Sequence, residues 1–371
     1  MNARTGERVA GIVRDALGAR AAVLSSARLP GGASRETWSL DVDTPGGERA
    51  LILRLDSPGA PLNPGTSPNP GSSPNTSSSP NTSSSPNTGS SPNTGSSPNT
   101  GSSPITSASP NTGAPPETGG GLAAEAVLMR AAAEAGVPVP EIVASGDSYI
   151  LMARVDGETI PRKILRDDAY RHARPLLAAQ CGRALAAVHR MPLGALPAQK
   201  DADALTQWRE VLDLTGQPHP VFELALRRLA ATRPEGARRT VVHGDFRNGN
   251  LIVGPEGVRA VLDWELAHAG DPVEDLGWLC VKAWRFGQKA PVGGFGTYDE
   301  LVSAYEEASG HAVDREALRW WEAFGVLKWG VICVMQTMRH LAGGARSVEL
   351  AAIGRRVCET EWDLLELLGA R

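Results

Sequence analysis

A chain of 371 residues can bury a sizeable core and, at roughly 100–200 residues per domain, can form two or three lobes. Its 37 basic and 41 acidic side chains leave a net charge of −4, which argues against nucleic acid or an anionic membrane surface as a partner. Cys181, Cys280, Cys333 and Cys358 form neither a metal-type CxxC pair nor a dense disulfide framework, and Met1 to Arg8 lack an apolar signal core, so the expectation is a cytoplasmic protein.

In chain order, 33–42 and 49–55 read as strands joined by a hairpin at Gly46-Gly47. In the second strand Leu51, Leu53 and Leu55 share one face, and Ile52 and Arg54 share the other. From Ser67 to Ala114 the pattern Ser-Pro-Asn-Thr-Gly/Ser-Ser repeats eight times with a period of six, and residues 57–120 hold 14 of the 28 prolines. Such composition buries almost no apolar surface, which predicts a disordered insertion over 57–120. Leu122 to Ala135 is built of helix formers and closed by Gly136 and Pro138, and 147–153 reads as another strand. Beyond Asp156 the sequence predicts helices over 168–189, 271–286, 315–341 and 348–368, with short β runs at Val241-Val242, Leu251 to Val253 and Ala260 to Leu262. The expected fold class is α+β. A smaller β-rich N-terminal lobe (1–56 and 121–155) would meet a larger, mainly helical C-terminal lobe (156–371), with a cleft between them.

The sharpest chemical signal is Val242-His243-Gly244-Asp245-Phe246-Arg247-Asn248-Gly249-Asn250-Leu251, followed thirteen residues after Asn250 by Asp263. An Asp, an amide five residues on and a second Asp beyond a short hairpin suit phosphoryl transfer. That reaction needs an acceptor for the hydroxyl proton and oxygen ligands that hold Mg²⁺ against phosphates.

This pattern resembles the aminoglycoside phosphotransferase and choline kinase family, relatives of the protein kinases. The resemblance extends to Gly31-Gly32-Ala33-Ser34-Arg35-Glu36-Thr37-Trp38 as the nucleotide loop, Leu51-Ile52-Leu53-Arg54 as the phosphate-contact strand, and Gly270-Asp271-Pro272 with Asp275 as the segment after the metal ligand. It implies a bilobal protein-kinase-like fold, ATP and Mg²⁺ as cofactors, Asp245 as catalytic base, and Asn250 and Asp263 as magnesium ligands. Gly31, Gly32 and Ser34 would approach phosphate oxygens. Arg54 would neutralise phosphates with Glu125 as its partner on the first-lobe helix, Glu134 being the alternative. Met152, Ala153 and Arg154 would lie along the adenine. The form of the nucleotide loop, with Leu-Arg in place of a lysine, is similar to the branch related to kinase-like domains found with acyl-CoA dehydrogenases, which implies a hydroxyacyl-type acceptor.

Beside these roles, His243 reads as a residue that fixes the loop, and Asp271 and Asp275 as scaffold residues that bond loop backbone and cap the next helix. For the acceptor, Trp278, Trp284, Trp320, Trp321, Trp329 and Arg339 are candidates, although aromatic residues at helical spacing usually form core. The function expected is ATP-dependent transfer to a hydroxyl of a small molecule. The alternatives are a catalytically silent nucleotide-binding module and a Ser/Thr protein kinase. No Ala-Pro-Glu segment follows Asp263, and Asp271 arrives only eight residues later.

Overall fold

The computed structural model describes residues 3–29, 35–56, 121–198, 203–235, 238–343 and 347–369. The expectations for Gly31, Gly32 and Ser34 and for the insertion at 57–120 lie outside them.

The first lobe is a five-stranded antiparallel sheet of β1 (Ala22–Leu29), β2 (Arg35–Thr44), β3 (Gly47–Asp56), β4 (Ile142–Gly146) and β5 (Tyr149–Ala153), in the order β1-β2-β3-β5-β4. Alternation decides which way it faces. Trp38 pairs with Leu53 and Leu40 with Leu51, and these side chains join Val42, Leu55 and Leu151 in a buried layer. Helix α1 (Ala3–Leu17) covers that layer with Val9, Ile12 and Val13, the spacing of one helical face. The opposite face carries Ile52 and Arg54 and turns toward α2 (Gly121–Glu134), as the sequence predicts. Gly136, at φ 86°, ends the path out of α2 in a conformation that suits glycine.

The second lobe contains α3 (Pro161–Arg166), α4 (Arg174–Val188), α5 (Ala204–Leu214), α6 (Pro220–Ala231), α7 (Val273–Cys280), α8 (Tyr298–Ser309), α9 (Arg315–Leu341), α10 (Val348–Ile353) and α11 (Val357–Leu367). Between α6 and α7 lie two short antiparallel pairs, β6 (Thr240–Val242) with β9 (His268–Gly270) and β7 (Leu251–Gly254) with β8 (Gly257–Val261). One core runs from α2 and β5 of the first lobe into α4, α7 and α8, and a second packs α5, α6, α7, α9 and α11. The fold is therefore the bilobal α+β plan expected.

Three helices differ from their expected spans. The 168–189 pattern becomes a 3₁₀ turn followed by α4, which starts at Arg174 with Pro175 in its first turn, where a missing N–H is harmless. The 271–286 pattern stops at Cys280 because Val281 turns to ψ 131° and a 3₁₀ turn follows. The 348–368 pattern breaks at Gly354, where a Cβ would stand 2.2 Å from Thr337 Oγ1. Among the described residues no helix is long and apolar enough to cross a membrane.

Candidate active site

The loop from His243 to Asn250 connects β6 to β7, and its shape is set from beneath. Gly244 has φ 80°, and a Cβ there would lie 2.4 Å from the Leu266 carbonyl oxygen, so the turn requires glycine. Asp275, fully buried on α7, accepts from the N–H groups of His243 at 2.7 Å and Gly244 at 2.9 Å. It also meets His189 Nε2 at 3.2 Å, and His189 Nδ1 meets the Tyr305 hydroxyl at 2.9 Å. Burial alone would raise the Asp275 carboxyl, but the bond from His189 and the neighbouring N–H groups hold it below the usual carboxylate value. Buried Lys328 on α9 donates to the Gly244 carbonyl at 3.0 Å.

His243 closes the loop from within. Its Nε2–H donates to the Leu262 carbonyl at 3.1 Å while Nδ1 accepts from the Asp245 N–H at 3.2 Å, an arrangement that uses the neutral ring. Burial lowers its pKa in the same sense. His243 thus ties the Asp245 backbone to the residue before Asp263.

Asp245 is three-sided. Arg247 Nε donates to Oδ1 at 2.9 Å and to Oδ2 at 3.2 Å, Trp278 Nε1 donates to Oδ1 at 2.8 Å, and Asn250 Nδ2 donates to Oδ2 at 2.6 Å. That contact leaves the Asn250 Oδ1 without a partner among the described residues. Asp263 has φ 68°, the left-handed region that an aspartate tolerates at some strain. Its carboxyl is pushed up, first by burial and then by the charge of Asp245, with Arg54 opposing.

Arg54 leads across the cleft. Its guanidinium pairs with Glu125 and lies 3.9 Å from Asp263. Glu125, 2% exposed, also accepts from Arg35 at 2.7 Å, so one carboxylate joins two cations from adjacent strands. Register explains the pair: Arg54 stands opposite Thr37 and Arg35 opposite Asp56, which puts both arginines on one face as diagonal neighbours. Arg35 also reaches Glu265 at 3.3 Å, whose pKa burial and the Asp263 charge push up to about 7.

The structure thus gathers Arg54, Glu125, Asp245, Asn250 and Asp263 in one place. Of the adenine segment, Met152 is buried in the core, and the N–H groups of Ala153 and Arg154 already bond the carbonyls of Glu141 and Ala50 at 2.9 Å. The Arg154 guanidinium reaches Ser39 and Asp41 on β2. Of the acceptor candidates, Trp278 touches Asp245, Trp284 lies under Arg247 and Trp329 is 4.8 Å from Trp284. Trp320 and Trp321 instead donate to the Leu229 carbonyl and Asp271, and Arg339 to Gln336. Asp271 also accepts from the Val273 N–H, the helix-capping part expected of it. Sequence reasoning missed Arg35, Arg247 and Lys328. Arg35 and Arg247 lay inside motifs already quoted, and the available signal was a cation two residues from an essential carboxylate or diagonal to Arg54.

Residues 26–321 match the model of the phosphotransferase enzyme family. Mouse acyl-CoA dehydrogenase family member 10 is 32% identical over 177 residues, 42% of this chain and 16% of its own length. The chain spans about a third or less of the curated relatives it matches. A provisionally assigned aminoglycoside phosphotransferase from Ralstonia eutropha shares the fold with a TM-score of 0.62 and 19% identity, over 97% of this chain and 98% of that one. Spectinomycin phosphotransferase, solved with ADP and spectinomycin, does so with a TM-score of 0.56 and 10% identity, over 96% and 97%. With the family model covering most of the chain and the same bilobal fold around the Asp245 loop, this chain belongs to the phosphotransferase enzyme family.

Proposed function

We propose that the protein transfers the γ-phosphoryl group of ATP to the hydroxyl of a small molecule. The observation that carries this reading is the convergence of Asp245, Asn250 and Asp263 opposite the Arg54–Glu125 pair. Asp245 would accept the acceptor's hydroxyl proton as the new O–P bond forms and the bond to the leaving ADP oxygen breaks. Its acceptor capacity is now filled by Arg247, Trp278 and Asn250, so an incoming hydroxyl displaces one of these donors. Arg54, held by Glu125, would orient the nucleotide phosphates.

The donor set fits a magnesium ion. Among the described residues no group of three or more His, Cys, Asp and Glu could hold a metal. Magnesium, however, takes one or two protein oxygens and completes its shell with phosphates and water. Asp263 and the Asn250 Oδ1 would supply those oxygens. Burial first and the Asp245 charge second disfavour the ionised Asp263 carboxyl, a cost that a bound cation would offset. When bound, the ion would screen the phosphate charge. β9 begins five residues after Asp263, which leaves little room for a long segment to hold a protein substrate.

The test is incubation with γ-labelled ATP and Mg²⁺ against a panel of small hydroxyl compounds and one generic protein. A labelled small-molecule phosphate monoester is expected. Label on the protein alone, or none on anything, would contradict the reading.

A further inference from the structure

Around Asp245 stands a row of three indoles: Trp278 and Trp284 have ring centroids 5.3 Å apart, and Trp284 and Trp329 4.8 Å. Aromatic rows of this kind bind cationic ligands when their faces are open. Here the chain's own cations occupy them. Lys328 Nζ lies 4.6 Å from the centre of the Trp278 ring, and the Arg247 guanidinium carbon lies 4.7 Å from that of Trp284.

Along this row of rings the unspent hydrogen-bonding groups are donors. Arg247 spends its Nε–H on Asp245 and has four more N–H donors with no partner among the described residues, on a side chain only 25% exposed. The backbone makes room for this group: Gly249 has φ 123°, and a Cβ there would lie 2.7 Å from Arg247 Nη1. The indole N–H groups of Trp284 and Trp329 are also buried without a partner, each an uncompensated donor that needs an explanation. A part-buried fork of guanidinium donors on an aromatic face, in a row of rings that holds two unpaired indole donors, is complementary to an oxyanion.

We infer that the phosphoryl acceptor is a hydroxyl compound bearing an anionic group, a carboxylate or a phosphate ester, which Arg247 clamps on the Trp284 face while the hydroxyl meets Asp245. This rests on the phosphotransferase reading for the chemistry at Asp245. The clamp also turns the guanidinium toward the ligand and frees acceptor capacity on Asp245 for the incoming hydroxyl. A polycationic or quaternary ammonium acceptor would meet the Arg247 guanidinium where it needs negative charge, and a Trp278 ring face already covered by Lys328.

Calorimetric titration of wild type, Arg247→Lys and Arg247→Gln with 3-hydroxybutyrate, glycerol 3-phosphate, 1,3-butanediol and choline tests this, with ATP as a fifth ligand. At least one of the two anions is expected to bind wild type at least ~10-fold tighter than the diol or choline. That preference should vanish in Arg247→Gln, persist in part in Arg247→Lys, and leave ATP affinity within about twofold; whichever anion wins identifies the anionic group. The inference is overturned if choline or the diol binds as well as both anions, if neither anion binds, or if the anion preference survives in Arg247→Gln. It is also overturned if Arg247→Gln weakens ATP and leaves the anion untouched, because the guanidinium then serves the nucleotide. Anion binding that depends on Arg247 without any phosphoryl transfer would uphold the clamp and defeat the phosphotransferase reading instead.

Discussion

Glu125 sits 2% exposed between two guanidinium groups, and a buried carboxylate in that position is stable only while its cations stay. Arg54→Lys should therefore keep much of the activity, whereas Arg54→Ala should raise the KM for ATP strongly. A double-mutant cycle of Arg54→Ala with Glu125→Ala should show coupling of roughly 0.5–3 kcal/mol in ATP binding, as for residues in direct contact. Strict additivity would remove the pairing. Asp263→Ala should abolish the Mg²⁺-dependent part of ATP binding in a calorimetric titration, since the remaining Asn250 oxygen is neutral and supplies a single ligand. Equal affinity in wild type and variant would contradict the metal role. At this scale strand alternation separated Arg54 from the leucine face, but its partner came only from the family resemblance, which left Glu125 and Glu134 as alternatives until the fold paired Arg54 with Glu125. Arg35 was not legible, because its partner lies 90 residues away and the nucleotide-loop reading had absorbed it. Arg247 escaped for a similar reason: spacing within the motif singles out Asp245 and Asn250, whereas the fold decides that the side chain between them turns back onto the carboxylate.

The elements beneath the loop hold it through hydrogen bonds that titrate. Asp275 has a folded-state pKa below its ordinary value, so the stability it supplies is present above the usual carboxylate range and is lost as pH falls through the lowered value. Asp275→Asn should cost about 3–5 kcal/mol near neutral pH, the scale of breaking a buried charged network. The gap between wild type and variant should narrow in acid, as read from melting temperatures across pH; a gap constant down to about pH 3 would contradict the assignment. Packing between α4 and α8 sets a second constraint, because a Cβ at Gly182 would stand 2.4 Å from the Leu301 carbonyl oxygen and 2.9 Å from the Tyr305 nitrogen. Gly182→Ala should destabilise by about 1–3 kcal/mol, and an unchanged melting temperature would show that the helices yield freely. Helix α9 matched its expected span of 315–341 because Asp314 caps it and its apolar period is unbroken. Helix α1 was passed over: Val9, Ile12 and Val13 show the right spacing, but charged residues fill the turns around them. The three-residue β9 is too short for any period to register, and α7 ends at Val281 without a glycine or proline to announce it.

For the whole molecule, the sequence places a 64-residue insertion containing the repeat between β3, which bears Arg54, and α2, which bears Glu125. Lengthening a connection from roughly 8 to 64 residues is three doublings at about 0.6 kcal/mol each, near ~2 kcal/mol in total, which a two-lobed body tolerates. Replacing residues 58–118 with a short Gly/Ser linker should preserve ATP-dependent transfer and raise the melting temperature slightly. A folded deletion variant without activity would show that the repeat takes part in binding. The two-lobed plan was readable because the β-rich and helical halves differ in hydrophobic period, and the reaction class because three polar residues keep a fixed spacing. The proposed acceptor clamp was not, since Arg247, Trp278, Trp284 and Trp329 meet only in the fold. The central claim is that Asp245 takes the hydroxyl proton in a phosphoryl transfer whose nucleotide is held by other residues. Its most direct test measures acceptor phosphorylation and ATP affinity side by side in wild type and Asp245→Asn. Transfer should fall by at least ~10²-fold with ATP affinity nearly intact; transfer at the wild-type rate would contradict the account.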